Sequence, residues 1–122
     1  MIDDEPDICD IICDILRAEV DETVAVTSAA AALEKLSEGY FDLVISDIMM
    51  PRMSGLELLK VLRPRKPKIN VIFVSASNSD ETLAEALEYG ATDFILKPFS
   101  KADLIPLVKK YVALSKICRT NT

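Results

Sequence analysis

Apolar residues in this chain follow two alternating rhythms. Near-continuous apolar runs at 42–47 and 70–75 predict strands buried on both faces. Elsewhere apolar residues recur at helical spacing. Ile8, Ile11, Ile12, Ile15 and Leu16 predict a helix over 7–20, with Pro6 where a first helical position tolerates proline. Residues 23–26 are short and β-branched, a strand. Ser28 is placed to cap a second helix running through Leu33 and Leu36 to a stop at Gly39. Ser54-Gly55-Leu56-Glu57 reads as a capping box. It opens a third helix whose apolar face is Leu56, Leu59 and Leu62, ended by Pro64 and Pro67. Ser79 or Asp80 caps a fourth, with Leu83 and Leu87 inward and Gly90 as its C-cap. Residues 92–96 form a further strand. Ser100 caps the last helix, 101–117, where Pro106 removes the bond to the Ala102 carbonyl and predicts a kink or a weak first turn.

Strand and helix signals alternate, so the fold class is α/β: a doubly wound parallel sheet with helices on both faces. In such sheets ligands bind at the carboxyl ends of the strands. Asp3, Asp4, Asp47, Ser75 and Lys97 all fall there.

Composition narrows the field. A chain of 122 residues is one domain with a full core. The formal charge of −6 argues against direct nucleic-acid binding. No apolar run approaches a membrane span and no signal peptide is visible, so a cytoplasmic location is expected. The chain contains no histidine, which excludes Ser-His-Asp and Cys-His catalysis and a phosphohistidine donor role. With no imidazole nearby, Cys9, Cys13 and Cys118 read as free thiols rather than a zinc site.

The charge pattern suggests chemistry. Three carboxylates held close together cost several kcal/mol unless neutralised. One Mg²⁺ and one lysine would balance them, and Mg²⁺ takes oxygen ligands including phosphate. A carboxylate can attack phosphorus to form an aspartyl phosphate, with catalysis then mostly positioning and charge neutralisation. Lys97 would meet one phosphoryl oxygen and the Ser75 hydroxyl another; Ala76 beside it leaves the approach open.

The quoted segments, in their order, resemble a response-regulator receiver domain of two-component signalling. They are Asp3-Asp4, Asp47-Ile48-Met49-Met50-Pro51 with Gly55, Ser75-Ala76, Gly90-Ala91-Thr92-Asp93-Phe94 and Lys97-Pro98-Phe99. The resemblance spans nearly the whole chain and implies a flavodoxin-like five-stranded sheet of order 2-1-3-4-5. It implies Asp47 as phospho-acceptor. Mg²⁺ would be bound by Asp4, Asp47 and the Met49 backbone carbonyl, and by Asp3 through water. Lys97 would pair with the phosphoryl group, the Lys97–Pro98 peptide being cis. Ser75 and Phe94 would be the switch pair, and a phenylalanine, lacking a hydroxyl, should favour the inward position. The expected partners are a histidine kinase or phosphotransfer protein and an unidentified target. The expected readout is the face of helix 4, strand 5 and helix 5, which would also serve a homodimer. Residues 1–122 would form one receiver domain without an output domain, and not a turnover enzyme.

One feature departs from the family. Only Met1 and Ile2 precede the acid pair, enough for about 7 Å of strand, where about 17–20 Å is typical. The first strand is therefore expected to be very short or missing. Residues ahead of Met1 could be absent, the domain could tolerate a stub, or a partner chain could complete or rearrange the sheet. Other readings are a phosphorylation-independent scaffold, a haloacid-dehalogenase-type enzyme and a flavodoxin-like electron carrier. Met49, two places after Asp47, does not match the dehalogenase acid, and no tryptophan is present to stack on a flavin.

Overall fold

The computed structural model describes residues 1–20, 22–50, 52–75, 80–97 and 99–120 and, of 80 and 116–120, the backbone alone. Helices α1 (Pro6–Leu16), α2 (Ala29–Glu38), α3 (Gly55–Arg65), α4 (Asp80–Glu88) and α5 (Lys101–Thr120) alternate with strands β1 (Leu43–Asp47), β2 (Asn70–Ser75) and β3 (Asp93–Leu96). The strands pair in parallel in the order β1-β2-β3, with Asp47 opposite Val74 and Ser75 opposite Leu96.

The sheet continues past β1 on a three-residue strip. Ile2 bridges in parallel to both Val26 and Ser46. Ile2 N–H donates to the Ile45 carbonyl (2.7 Å), and Asp47 N–H donates to the Ile2 carbonyl (2.9 Å). On the other side Val26 N–H donates to the Met1 carbonyl (3.0 Å) and Asp3 N–H to the Val26 carbonyl (3.3 Å). Residues 1–3 thus lie between 24–26 and β1, which gives the 2-1-3-4-5 order of a doubly wound, flavodoxin-like sheet with a very short first strand. The second strand is equally reduced: of the expected 23–26, Val26 alone makes a bridge. The strand expected as the fifth is β3.

Alternation along the strands sorts the core onto two faces. Val44, Val71 and Phe73 pack with Ala32 and Leu36 of α2, Leu58, Leu59 and Leu62 of α3, and Ala86 of α4. Ile45, Ile72, Val74 and Ile95 pack with Ile12 and Leu16 of α1 and Leu104, Val108 and Tyr111 of α5. Removing β-strand surface from water on both faces makes the strand ends, not the faces, the place where polar groups can gather.

Several expectations need correction. α1 ends at Leu16 rather than at 20, its exit closed by turn bonds from Glu19 and Val20 N–H to the Leu16 carbonyl. Pro64 does not end α3; the helix runs through it to Arg65, and Pro67 follows the end. Leu58 joins Leu59 and Leu62 as a buried residue, and Leu56 packs half-buried against the same core. In α4 Ala86 faces the core and Leu87 is 56 % exposed. α5 runs through Pro106, as expected, but ends at Thr120 rather than at 117. Its start is fastened by Asp103, whose carboxylate accepts from Ser100 N–H (2.9 Å) and Ser100 Oγ (3.1 Å). The Ser28 and Ser54 caps form as expected, accepting from Ala31 and Glu57 N–H. Gly90 adopts φ +91, the left-handed stop of α4. Ser79, Ala76, Pro98, Pro51 and Cys118, with the Lys97–Pro98 peptide, lie outside the described residues or side chains.

Candidate functional site

The strand order brings three acids and one lysine to one sheet edge. Asp47 is the last residue of β1, and Asp3 ends the strip beside it. Lys97 follows β3, its N–H bonded to the Ser75 carbonyl (2.8 Å) at the end of β2. Asp3, Asp4 and Asp47 each offer a carboxylate oxygen within 4.8 Å of the others. Lys97 Nζ reaches Asp47 Oδ2 at 3.1 Å and Asp3 Oδ2 at 3.6 Å.

The acids differ in surroundings. Asp4 is exposed, Asp47 is nearly buried and Asp3 is fully buried. Asp47 Oδ1 accepts from Met49 N–H (3.2 Å), which with Lys97 fixes the orientation of the carboxylate. Asp3 Oδ1 accepts from Glu5 N–H (3.0 Å), but among the described residues its Oδ2 has no hydrogen-bond partner and faces Lys97 across the longer contact. Ser75 is buried at the end of β2. Phe94 is half-buried and packs into the α2–α3 side of the core, its ring centroid 6.2 Å from that of Phe73. It therefore sits inward, apart from the acid cluster. Cys9 lies beneath the strip, its thiol donating to the Asp3 and Val26 carbonyls. Burial pushes that thiol above its ordinary range, so it is an inert packing group. Among the described residues Cys13 is likewise a free cysteine.

Electrostatics follow from this geometry. Burial raises the Asp3 pKa; the Glu5 N–H and Lys97 pull it down, while Asp47 and Asp4 push it further up, and the net direction is up. Burial disfavours the Lys97 ammonium, but its bond to Asp47 and the charges of Asp47 and Asp3 outweigh that, and its pKa is raised. Three carboxylates against one ammonium leave two negative charges in excess.

A metal ion fits these residues. The donors are hard oxygens, and the buried Asp3 Oδ2 is an acceptor with no hydrogen-bond donor among the described residues. An all-oxygen set of this kind suits Mg²⁺ rather than a softer metal.

The signs of the shifts give a test. Between the ordinary aspartate value of 3.8 and the raised Asp3 pKa, the folded chain binds more protons than the unfolded one. Stability in metal-free buffer should therefore fall as pH rises through that window. The Lys97 contribution has the same sign in a higher window: it is fully present below the ordinary lysine value of 10.5 and is lost as pH rises through the raised one. Asp3→Asn should raise the melting temperature in EDTA, flatten the acid-side slope and reduce the stabilisation given by added Mg²⁺. Calorimetry across pH, with and without Mg²⁺, checks all three.

Two backbone features complete the site. Gly55 opens α3 directly under Asp47: a Cβ there would meet the Asp47 carbonyl oxygen, Phe73 Cε1 at 2.9 Å and Ile48 Cα at 3.0 Å. Its N–H donates to the Ile48 carbonyl (2.7 Å). Ser46, fully buried, donates its hydroxyl to the Asp47 carbonyl (2.9 Å). Neither role was visible in spacing alone. Arg63 was also missed; it donates to backbone carbonyls around the ends of α3 and α4. A basic residue in the last turn of a helix was the available signal.

Comparison with known proteins agrees with this frame. The family model described as "Response regulator receiver domain" matches residues 1–109. The chain is 37 % identical to the response regulator protein FleR of Pseudomonas aeruginosa over 91 % of its own length and 24 % of that protein's. It is 36 % identical to the sensory transduction protein RegX3 of Mycobacterium tuberculosis over 89 % of its length and 48 % of that protein's. It thus spans between a quarter and a half of these curated relatives. The crystal structure of the receiver domain of NtrX from Brucella abortus superposes with a TM-score of 0.84 at 34 % identity, covering 92 % of this chain and 95 % of that one.

Proposed function

This chain belongs to the response regulator receiver domain family, and from that premise we propose that Asp47 accepts a phosphoryl group and that the domain signals by the resulting change of shape. Relatives named as a response regulator and a sensory transduction protein support a signalling module rather than a turnover enzyme on an external substrate. The finer reading rests on one observation, the Asp47 carboxylate fixed between Met49 N–H and the Lys97 ammonium at the mouth of an acid cluster.

An oxygen of Asp47 attacks the phosphorus of a donor. The new P–O bond forms as the bond to the donor breaks, and the donor leaves with that electron pair. A histidine kinase or phosphotransfer protein is the proposed macromolecular donor. Lys97 stays charged, because its partners raise its pKa, and it balances one phosphoryl oxygen. Ser75, buried at the neighbouring strand end, is the proposed hydroxyl for another. Asp4, Asp47 and the Met49 carbonyl are the proposed direct Mg²⁺ ligands, with Asp3 acting through water. When bound, Mg²⁺ supplies the positive charge that lets this acidic edge tolerate a dianion.

Phosphorylation replaces about one negative charge with about two. The proposed consequence is inward movement of Ser75 toward the phosphate, with Phe94 already packed inward on Phe73. The readout would be the α4–β3–α5 face, which exposes Leu87 and Leu96. That face would also serve a target or a homodimer; sheet rearrangement through the short first strand is a second route to a dimer. One receiver domain over 1–122 and a cytoplasmic setting belong to the same reading. Among the described residues no helix is long and apolar enough to cross a membrane.

Incubation with acetyl phosphate and Mg²⁺ followed by intact-mass measurement tests the proposal. One phosphoryl group should be gained, and EDTA should suppress the gain. A folded sample that gains nothing would support the phosphorylation-independent scaffold instead.

A further inference from the structure

The Arg63 guanidinium has no carboxylate partner among the described residues. It spends its donors on backbone carbonyls instead. Nη1 points at the carbonyls of Lys66 (3.2 Å), Pro67 (2.9 Å) and Ile69 (2.9 Å), which line the exit from α3. Nη2 donates to the Gly90 carbonyl (2.6 Å), and Nε to that of Tyr89 (3.4 Å), both just past α4. The C-terminal ends of two helices, each partially negative, thus converge on one cation. Lys60, one turn earlier on α3, pairs with Glu85 (3.1 Å) and lies 4.8 Å from the centroid of the Tyr89 ring.

Among the described residues these anchors fall on one half of α4. Its C-terminal end is further closed by Gly90 N–H to the Leu87 carbonyl (3.0 Å) and Ala91 N–H to the Ala86 carbonyl (2.9 Å). Thr92 then ties on to β2: its N–H donates to the Val71 carbonyl (2.8 Å), and its Oγ1 accepts from Val71 N–H (3.0 Å). Among the described side chains of the other half, Glu81 is exposed and Thr82 and Leu83 are only half-buried. In sequence that half follows Ser75, the proposed switch hydroxyl.

We propose that Arg63 is a positioning residue that pins the C-terminal end of α4, so that a rearrangement begun at Ser75 turns α4 about Gly90 rather than sliding it whole. The pinning follows from the hydrogen bonds; the turning rests on the switch reading given above. An α-helix of this length spans about 13 Å. A shift of about 2 Å at its first turn is therefore a rotation of about 10°, which displaces residues 81–84 while Leu87, bonded to the pivot at Gly90, moves by less than about 1 Å. Lysine cannot replace this arginine, because a single ammonium lacks the planar fork that reaches both groups of carbonyls at once. Gly90 belongs to the same device: a Cβ there would lie 2.9 Å from Arg63 Nε, on backbone already at φ +91.

Amide exchange measured by NMR on the full chain tests both parts. Without phosphodonor, Arg63→Ala and Arg63→Lys should speed exchange at Tyr89, Gly90 and Ala91 at least ten-fold relative to Val71 and Val74 of β2. An equal change at all of these amides, or no change at the first three, would overturn the pin. With Mg²⁺ and acetyl phosphate, shift changes in the parent should concentrate in 81–84 and spare 89–91, and in Arg63→Ala they should spread to 89–91. Changes of equal size at both ends of α4 in the phosphorylated parent would overturn the turning. Intact mass read on the same samples separates this from failure of the switch itself, since an unphosphorylated parent refutes that reading while the donor-free comparison still decides the pin.

Discussion

Replacing Asp47 with asparagine is expected to abolish phosphoryl uptake from acetyl phosphate while leaving a folded protein. Asparagine keeps the shape and can still accept from Met49 N–H through its carbonyl oxygen. Its amide nitrogen is a donor, not a nucleophile, and would face the Lys97 ammonium that now sits 3.1 Å from Asp47 Oδ2. The loss of initial rate should be on the order of a thousand-fold or more, as for removal of other covalent nucleophiles. The fold should survive because the change removes one of three crowded acids and leaves Lys97 with Asp3. Intact mass after a fixed incubation reads the uptake, and a cooperative thermal melt reads the fold. Continued gain of one phosphoryl group by Asp47→Asn would move the acceptor elsewhere and end the proposal.

Gly55→Ala should be the most damaging single methyl that can be added near the site. The added carbon meets main chain, not the tip of a flexible side chain: the Asp47 carbonyl and Ile48 Cα cannot swing away without moving the acceptor itself. Overpacking of a well-filled core costs about 1–3 kcal/mol, and backbone contacts put this case at the upper end. For a domain of this size the melting temperature should drop by about 10 °C. Phosphoryl uptake should fall as well, since the Asp47 carboxylate is carried by the displaced end of β1. Gly39→Ala is the control, because a Cβ there meets nothing within 4 Å. If the two variants melted together, the close approach of α3 to the end of β1 would be disproved.

Much of this arrangement was legible from residue types. Buried strands announce themselves by unbroken apolar runs, so β2 was bounded correctly at 70–75 and β1 to within one residue. Ser28, Ser54 and Gly90 are capping residues whose local chemistry does not depend on the rest of the fold, and all three act as their types suggest. The acid cluster was legible because strand ends in a parallel sheet converge. What failed was what neighbours decide. Leu87 fits the helical period as well as Ala86 does, yet the smaller residue is the one that turns into the core, a choice set by tertiary packing rather than by the period. Pro64 carries a strong helix-stop signal, but it falls in the final turn, where losing one intrahelical bond is tolerable and Lys66 N–H still reaches the Leu62 carbonyl (2.8 Å). Arg63 binds carbonyls, which every residue has, so no partner type in the sequence could point to it.

The strip formed by residues 1–3 is held by five backbone hydrogen bonds and the burial of Ile2 and Asp3, although it closes a loop of more than forty residues onto β1. Loop closure of that length is an entropic debt, and so small a patch repays little of it. The strip is expected to open locally, without global unfolding. On the proposed reading its opening would carry Asp3 and Asp4 away together, so that docking of the strip and readiness to receive phosphate would be one equilibrium, which a divalent ion would pull closed.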